Sequence, residues 1–422
     1  MYPDQNIMQN RTLSIDTHRL IHEISTLACI SEAEPPVVTR IVFSEADIRA
    51  RAYIKQLAQE AGLTIREDAV GNTFLRWTGT EPDLPAVATG SHIDAIPNAG
   101  AYDGTVGVLG GLEAIRALQQ SGFQPRRSIE LILFTSEEPT RFGIGCLGSR
   151  LMGSVLTPDQ ARALRDKEDH TLDELRTKAG FSGYLSTLAI QSGQYHAFVE
   201  LHIEQGPILE QEGIDIGVVT HIAAPASLRV HIEGEGGHAG AMLMPVRHDA
   251  LCAASELILA LESAAKATGA IDTVATTGIC DVFPGAINSV PSRVRLEIDA
   301  RDTDASRRDY VLDQLCAKAI EVATHRGVQI RFEPINADPP ATCAPFIVEA
   351  IESATNQAGL THRQMVSRAY HDSLFVARFA PVAMIFIPSR GGVSHRPDEF
   401  SSPEQIANGV RVLASTLAQL AS

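Results

Sequence analysis

Short, mostly apolar runs punctuate the chain at residues 86–88, 129–134, 197–201 and 383–387. Runs of this length, apolar at nearly every position, predict strands buried on both faces of a parallel sheet. Between the first two, residues 105–120 carry a helical pattern that Gly122 closes. Strand, helix and strand in this order predict a βαβ unit. The fold class that follows is α/β, with a mixed, largely parallel sheet flanked by helices.

The pattern changes between about 213 and 332. Residues 227–233 and 293–299 alternate, with Leu296, Ile298 and Ala300 set against Glu297 and Asp299. Such alternation predicts a sheet buried on one face only. Amphipathic stretches at 247–268 and 305–326 predict two helices to cover that face. After Pro339 and Pro340 the earlier pattern returns. The organisation expected is a catalytic domain of residues 1–212 and 333–422, interrupted by a smaller α+β domain of residues 213–332.

Composition narrows the function. The 422 residues carry a formal charge of −16, with 44% hydrophobic and 20% charged positions. That is globular composition, and the acidic balance argues against nucleic acid or an anionic membrane as partner. Six cysteines without a C-x-x-C pair fit a reducing, cytoplasmic setting. The stretch Met1–Leu20 has no long apolar run and is not read as a secretory leader, and no segment is long and apolar enough to span a bilayer.

The residues able to carry chemistry follow the predicted strands. They are Gly90-Ser91-His92-Ile93-Asp94 with Asp103-Gly104, then Ser136-Glu137-Glu138, then His202-Ile203-Glu204-Gln205-Gly206, and finally Ser394-His395-Arg396-Pro397. Taken singly, a His in a turn or an Asp-Gly pair is ordinarily structural. Taken together, imidazoles and carboxylates at the edge of one sheet suit divalent ions such as Zn and Mn, because a carboxylate can serve two ions at once.

These motifs resemble the M20-type metallopeptidase clan and, within it, the hydantoinase/carbamoylase branch of amidohydrolases. The likeness extends over nearly the whole chain. It is nearest to plant-type ureidoglycolate amidohydrolases, through residues 136–144, 222–228 and 367–375. The resemblance implies a binuclear site of two divalent metal ions per subunit, Mn or Zn, with Co or Ni also suited. His92, Asp103, Glu138, His202 and His395 would be its ligands, Asp103 bridging. It implies Glu137 as general base, taking a proton from the attacking water and returning it to the leaving nitrogen. Asp94 is expected to orient the His92 ring.

By the same resemblance the inserted domain is a lid and dimerisation domain. His238, within Gly236-Gly237-His238-Ala239-Gly240, would stabilise an oxyanion in the partner subunit of a homodimer. Gln205, Asn288, Arg301 and His371 match substrate-binding positions. An Arg fork suits a substrate carboxylate, whereas the plain alternative for Arg301 is a surface pair with Asp299 or Asp302. After the lid histidine, Ala241-Met242-Leu243-Met244-Pro245 departs from the branch's usual Gly-Thr-Thr-Pro-Met.

The expected activity is hydrolysis of a carbon–nitrogen bond in a small ureido acid, first (S)-ureidoglycolate in purine-nitrogen recovery. N-carbamoyl-L-amino acids and then allantoate are the alternative substrates. An exopeptidase, and a non-catalytic metal-binding dimer, are the rivals from other classes.

Overall fold

The computed structural model describes residues 13–422, so the part of the leader reading that falls on residues 1–12 lies outside the described residues. The chain divides into two compact units. The larger runs up to Thr220 and resumes over Thr342–Met365 and His371–Ser422, and the smaller comprises His221–Ala341 and Val366–Tyr370.

The sheet of the larger unit includes, in spatial order, Ile216–Ile222, Val382–Ile387, Tyr195–Ile203, Ala86–Ser91, Ile129–Leu133, Thr73–Trp77 and Thr64–Glu67. The four strands expected from the apolar runs form its parallel centre. Every position of Ile129–Leu133 and Val382–Ile387 is buried, as a strand covered on both faces requires. Gly90 sits in this centre because a Cβ there would lie 2.1 Å from the Ile132 carbonyl oxygen. The flanking strands are antiparallel at Thr73–Trp77 and Ile216–Ile222. The helix Thr105–Gln120 packs against the C-terminal helix Pro403–Ala421, whose Ser402 capping box fixes its start.

The smaller unit is an antiparallel sheet ordered Val274–Phe283, Arg293–Asp302, Ala224–Glu233 and Gln329–Ala337. Helices Ala250–Ala267 and Ala305–Arg326 cover it, and Val230, Ile232, Leu257, Leu296, Ile298 and Leu315 form their common core. The first helix begins later than its apolar pattern suggests. Asp249 accepts the amides of Leu251 and Cys252 and thereby caps it.

The boundaries also fall later than residues 213 and 332. Residues 217–219 hydrogen-bond to the Val382–Ile387 strand and so belong to the larger sheet. At the other end, Gln329–Ala337 is an edge strand of the smaller one. The segment Val366–Tyr370 joins the smaller unit as well, a return of the chain that no local pattern announces.

Candidate active site

The sequence-predicted residues of the larger unit gather at the C-terminal ends of its parallel strands, where open α/β sheets hold ligands. His92 follows the strand Ala86–Ser91, Glu137 and Glu138 follow Ile129–Leu133, His202 lies near the end of Tyr195–Ile203, and His395 follows Val382–Ile387. Asp103 precedes the helix Thr105–Gln120 across Gly104, which has φ 65° and stands so close to His92 that a Cβ would fall 2.4 Å from Nε2. Only glycine satisfies both demands.

Asp103 is the hub. Its Oδ1 faces His202 Nε2 at 3.1 Å and His92 Nε2 at 3.6 Å, while Oδ2 faces His395 Nε2 at 3.3 Å. Glu138 Oε1 lies 3.2 Å from that same His395 nitrogen. Two donor groups result, His92–Asp103–His202 and Asp103–Glu138–His395, sharing one carboxylate.

The tautomers fit metal donors. His92 Nδ1 meets the Asp94 carbonyl oxygen at 3.0 Å and His202 Nδ1 meets that of Ile203 at 2.9 Å, which puts the protons on Nδ1. Gly104 N–H donates to His202 Nε2 at 3.2 Å, so that nitrogen carries its lone pair. A lone pair directed at a carboxylate is repulsive unless positive charge lies between them. The electrostatics agree. Burial opposes charge on His92, yet Glu137, Asp103 and Asp94 raise its pKa well above the usual value. Hydrogen bonds to Asp103 and Glu138 push His395 up to about 11. Burial works to raise the Asp103 pKa, but His202, His395 and His92 hold it well below the carboxylate range. Imidazole nitrogens and carboxylate oxygens grouped in this way fit a divalent metal.

Glu137 is buried beside these donor groups, its Oε2 3.8 Å from His92 Nε2 and its Oε1 accepting the Cys146 thiol at 3.5 Å. Burial, with Glu138, Asp372 and Asp103 nearby, raises its proton affinity well above that of an ordinary glutamate. Asp94 acts differently from expectation. Its backbone carbonyl holds the His92 ring, whereas its carboxylate accepts the amides of Glu137 at 3.2 Å and Glu138 at 3.0 Å. It therefore presents both glutamates, because a carboxylate three residues beyond the end of Ala86–Ser91 reaches the neighbouring strand's loop.

Gln205, at φ 55°, donates from Nε2 to Asp103 Oδ2 at 2.6 Å, and its buried Oε1 has no hydrogen-bond partner among the described residues. The His371 ring is buried with its centroid 4.4 Å from that of His202. A third group, Glu200–His202–His371, has metal-ligand spacing. Glu200 is already engaged there, accepting Ser91 Oγ at 2.8 Å and Ser373 Oγ at 2.5 Å.

In the smaller unit, His238 and Asn288 are neighbours. His238 pairs with Ser289 across a short ladder, and Ala239 N–H donates to the Asn288 carbonyl at 2.9 Å. His238 Nδ1 accepts Gly240 N–H at 3.1 Å, which leaves the ring proton on an exposed Nε2. Arg301 pairs with Asp299, Nε to Oδ1 at 2.6 Å and Nη2 to Oδ2 at 3.3 Å. Its Nη1 makes only a 3.5 Å contact with the Arg368 carbonyl, and its guanidinium lies 5.5 Å from the Tyr370 ring centre. Tyr370, Ser394 and Glu399 have no role in the expectations drawn from the sequence. Their signal in sequence is only adjacency to His371 and His395.

Residues 88–419 match the model of peptidase family M20/M25/M40. The chain belongs to that family. It is 53% identical over 418 residues to the ureidoglycolate hydrolase of Arabidopsis thaliana, covering 97% of this chain and 87% of that protein. It is 54% identical over 413 residues to the ureidoglycolate hydrolase of Oryza sativa subsp. japonica, covering 96% and 85%. The crystal structure of AtUAH in complex with glyoxylate superposes with a TM-score of 0.89 at 53% identity, over 97% of this chain and 99% of that one.

Proposed function

We propose that the chain is a binuclear-metal amidohydrolase that cleaves (S)-ureidoglycolate, yielding glyoxylate, ammonia and carbon dioxide. One observation carries the reading. A chain 53% identical to a plant ureidoglycolate hydrolase over 97% of its length has both donor groups and a buried glutamate beside them.

His92, Asp103 and His202 would hold one ion and Asp103, Glu138 and His395 the other, Mn or Zn by donor type. When bound, such ions supply positive charge that polarises a carbonyl and makes water more acidic. Glu137 then accepts the proton of the attacking water and delivers it to the leaving nitrogen as the carbon–nitrogen bond breaks. His238 donates from Nε2 to the developing oxyanion, in the site of the partner subunit. Arg301, with Asn288, Gln205 and His371, orients the substrate. Asp299 occupies one edge of the guanidinium, which leaves the Nη1 edge for a substrate carboxylate.

Homodimerisation is supported by exposed apolar residues in the smaller unit, Ile271, Ile279, Phe283 and Ile287, and by the edge strand Val274–Phe283. Among the described residues no helix is long and apolar enough to cross a membrane, and the six cysteines are free thiols. Free thiols favour the cytoplasm as location. Turnover of ureidoglycolate by purified, Mn-loaded protein, with glyoxylate as product, tests the proposal.

A further inference from the structure

We infer that Glu399 is a positioning residue that clamps the Asp103 loop to the His395 loop and so holds the two donor groups in register. The inference rests on reading those groups as a metal centre. Glu399 is 4% exposed, and among the described residues no Lys or Arg pairs with it. All its side-chain bonds go to the two ligand loops instead. Its Oε1 accepts the amides of Tyr102 at 2.7 Å and Asp103 at 3.0 Å, and its Oε2 faces the Ser394 hydroxyl at 2.9 Å.

Ser394 in turn lies 2.7 Å from Asp103 Oδ2, the oxygen turned toward His395. The serine therefore sits between the two carboxylates, next to His395, with one hydroxyl proton that either of them can accept. Gly100 allows the approach, since a Cβ there would lie 2.4 Å from Glu399 Cβ. The Tyr102 ring packs edge-on against Phe400 at 5.9 Å and braces the same junction. A carboxylate buried without a cation is costly to fold. Glu399 recovers that cost through bonds that exist only when both loops are in place.

The test is calorimetric titration of metal-free protein with Mn²⁺ alone. Wild type should take up two ions per chain. Glu399→Ala should bind about 10–100-fold more weakly, the scale for outer partners of metal ligands. Glu399→Gln, which keeps an acceptor for both amides, should recover most of the affinity. Thermal unfolding of the metal-free forms separates the readings, because a merely structural residue would lower that temperature and leave Mn²⁺ affinity alone. Wild-type affinity in folded Glu399→Ala overturns the inference. If Glu399→Ala does not fold, Ser394→Ala decides in the same way, weaker binding supporting the clamp and unchanged binding overturning it. A wild-type protein that takes up no Mn²⁺ overturns the metal-centre reading itself, and this inference with it.

Discussion

His395 Nε2 stands 3.3 Å from Asp103 Oδ2, although the two residues come from separate segments of the larger unit's sequence. The other oxygen of that carboxylate is turned to His202 at 3.1 Å. One aspartate thus serves two groups of donors, and the rest of the site is arranged around it.

Metal dependence follows first. Dialysis against a chelator should abolish turnover, and added Mn²⁺ should restore it, with metal content followed by elemental analysis. Full activity in demonstrably metal-free protein would remove the basis of the mechanism.

Glu137 is assigned to proton transfer and Glu138 to ligation. Glu137→Gln keeps the volume and the Cys146 contact but cannot accept a proton. Its kcat should fall by about 10²-fold or more, with two ions still bound. If the substitution instead releases an ion, the assignments of the two glutamates are exchanged.

The elements legible in the sequence were those whose burial is written locally. The strands Ile129–Leu133 and Val382–Ile387 are apolar at nearly every position, and the helix Ala305–Arg326 combines an Asp304 cap, a periodic face and Gly327 at φ 64°. Thr64–Glu67 was not legible, because as an edge strand it is mostly exposed and polar. Ile216–Ile222 falls inside the stretch expected to form the smaller domain but pairs in the larger sheet, a choice that only tertiary packing makes. The ligand candidates could be read because each lies near the end of an apolar strand, in the loop after one, or just before a helix. Glu399, and the capping role of Asp94, could not, because their meaning lies in amide groups of distant loops.

The exposed His238 Nε2 is proposed to serve the partner's site, which makes complementation possible. Neither His238→Ala nor Glu137→Gln homodimers should turn over well. After subunit exchange, each heterodimer should contain one intact site and recover part of the activity. No recovery after exchange verified by mass spectrometry would assign each histidine to its own subunit.

Arg301 is proposed to read the substrate carboxylate with the edge that Asp299 leaves open. Lys keeps the charge but has no fork. Arg301→Lys should lose about 2–5 kcal/mol of transition-state stabilisation, several tens-fold to thousands-fold in kcat/KM. The loss should shrink on an analogue whose carboxylate is an amide. Equal losses on both compounds would make Arg301 a support for the Asp299 pair alone.

The central claim is that this metal centre acts on ureidoglycolate, and a competition of substrates addresses it most directly. Mn-loaded wild-type protein would be assayed for kcat/KM on (S)-ureidoglycolate, allantoate and a set of N-carbamoyl-L-amino acids under one condition. The account predicts that ureidoglycolate is preferred by at least about tenfold, a transition-state difference of about 1.4 kcal/mol, with glyoxylate accumulating. Preference for an N-carbamoyl amino acid or allantoate, with ureidoglycolate left intact, would contradict it.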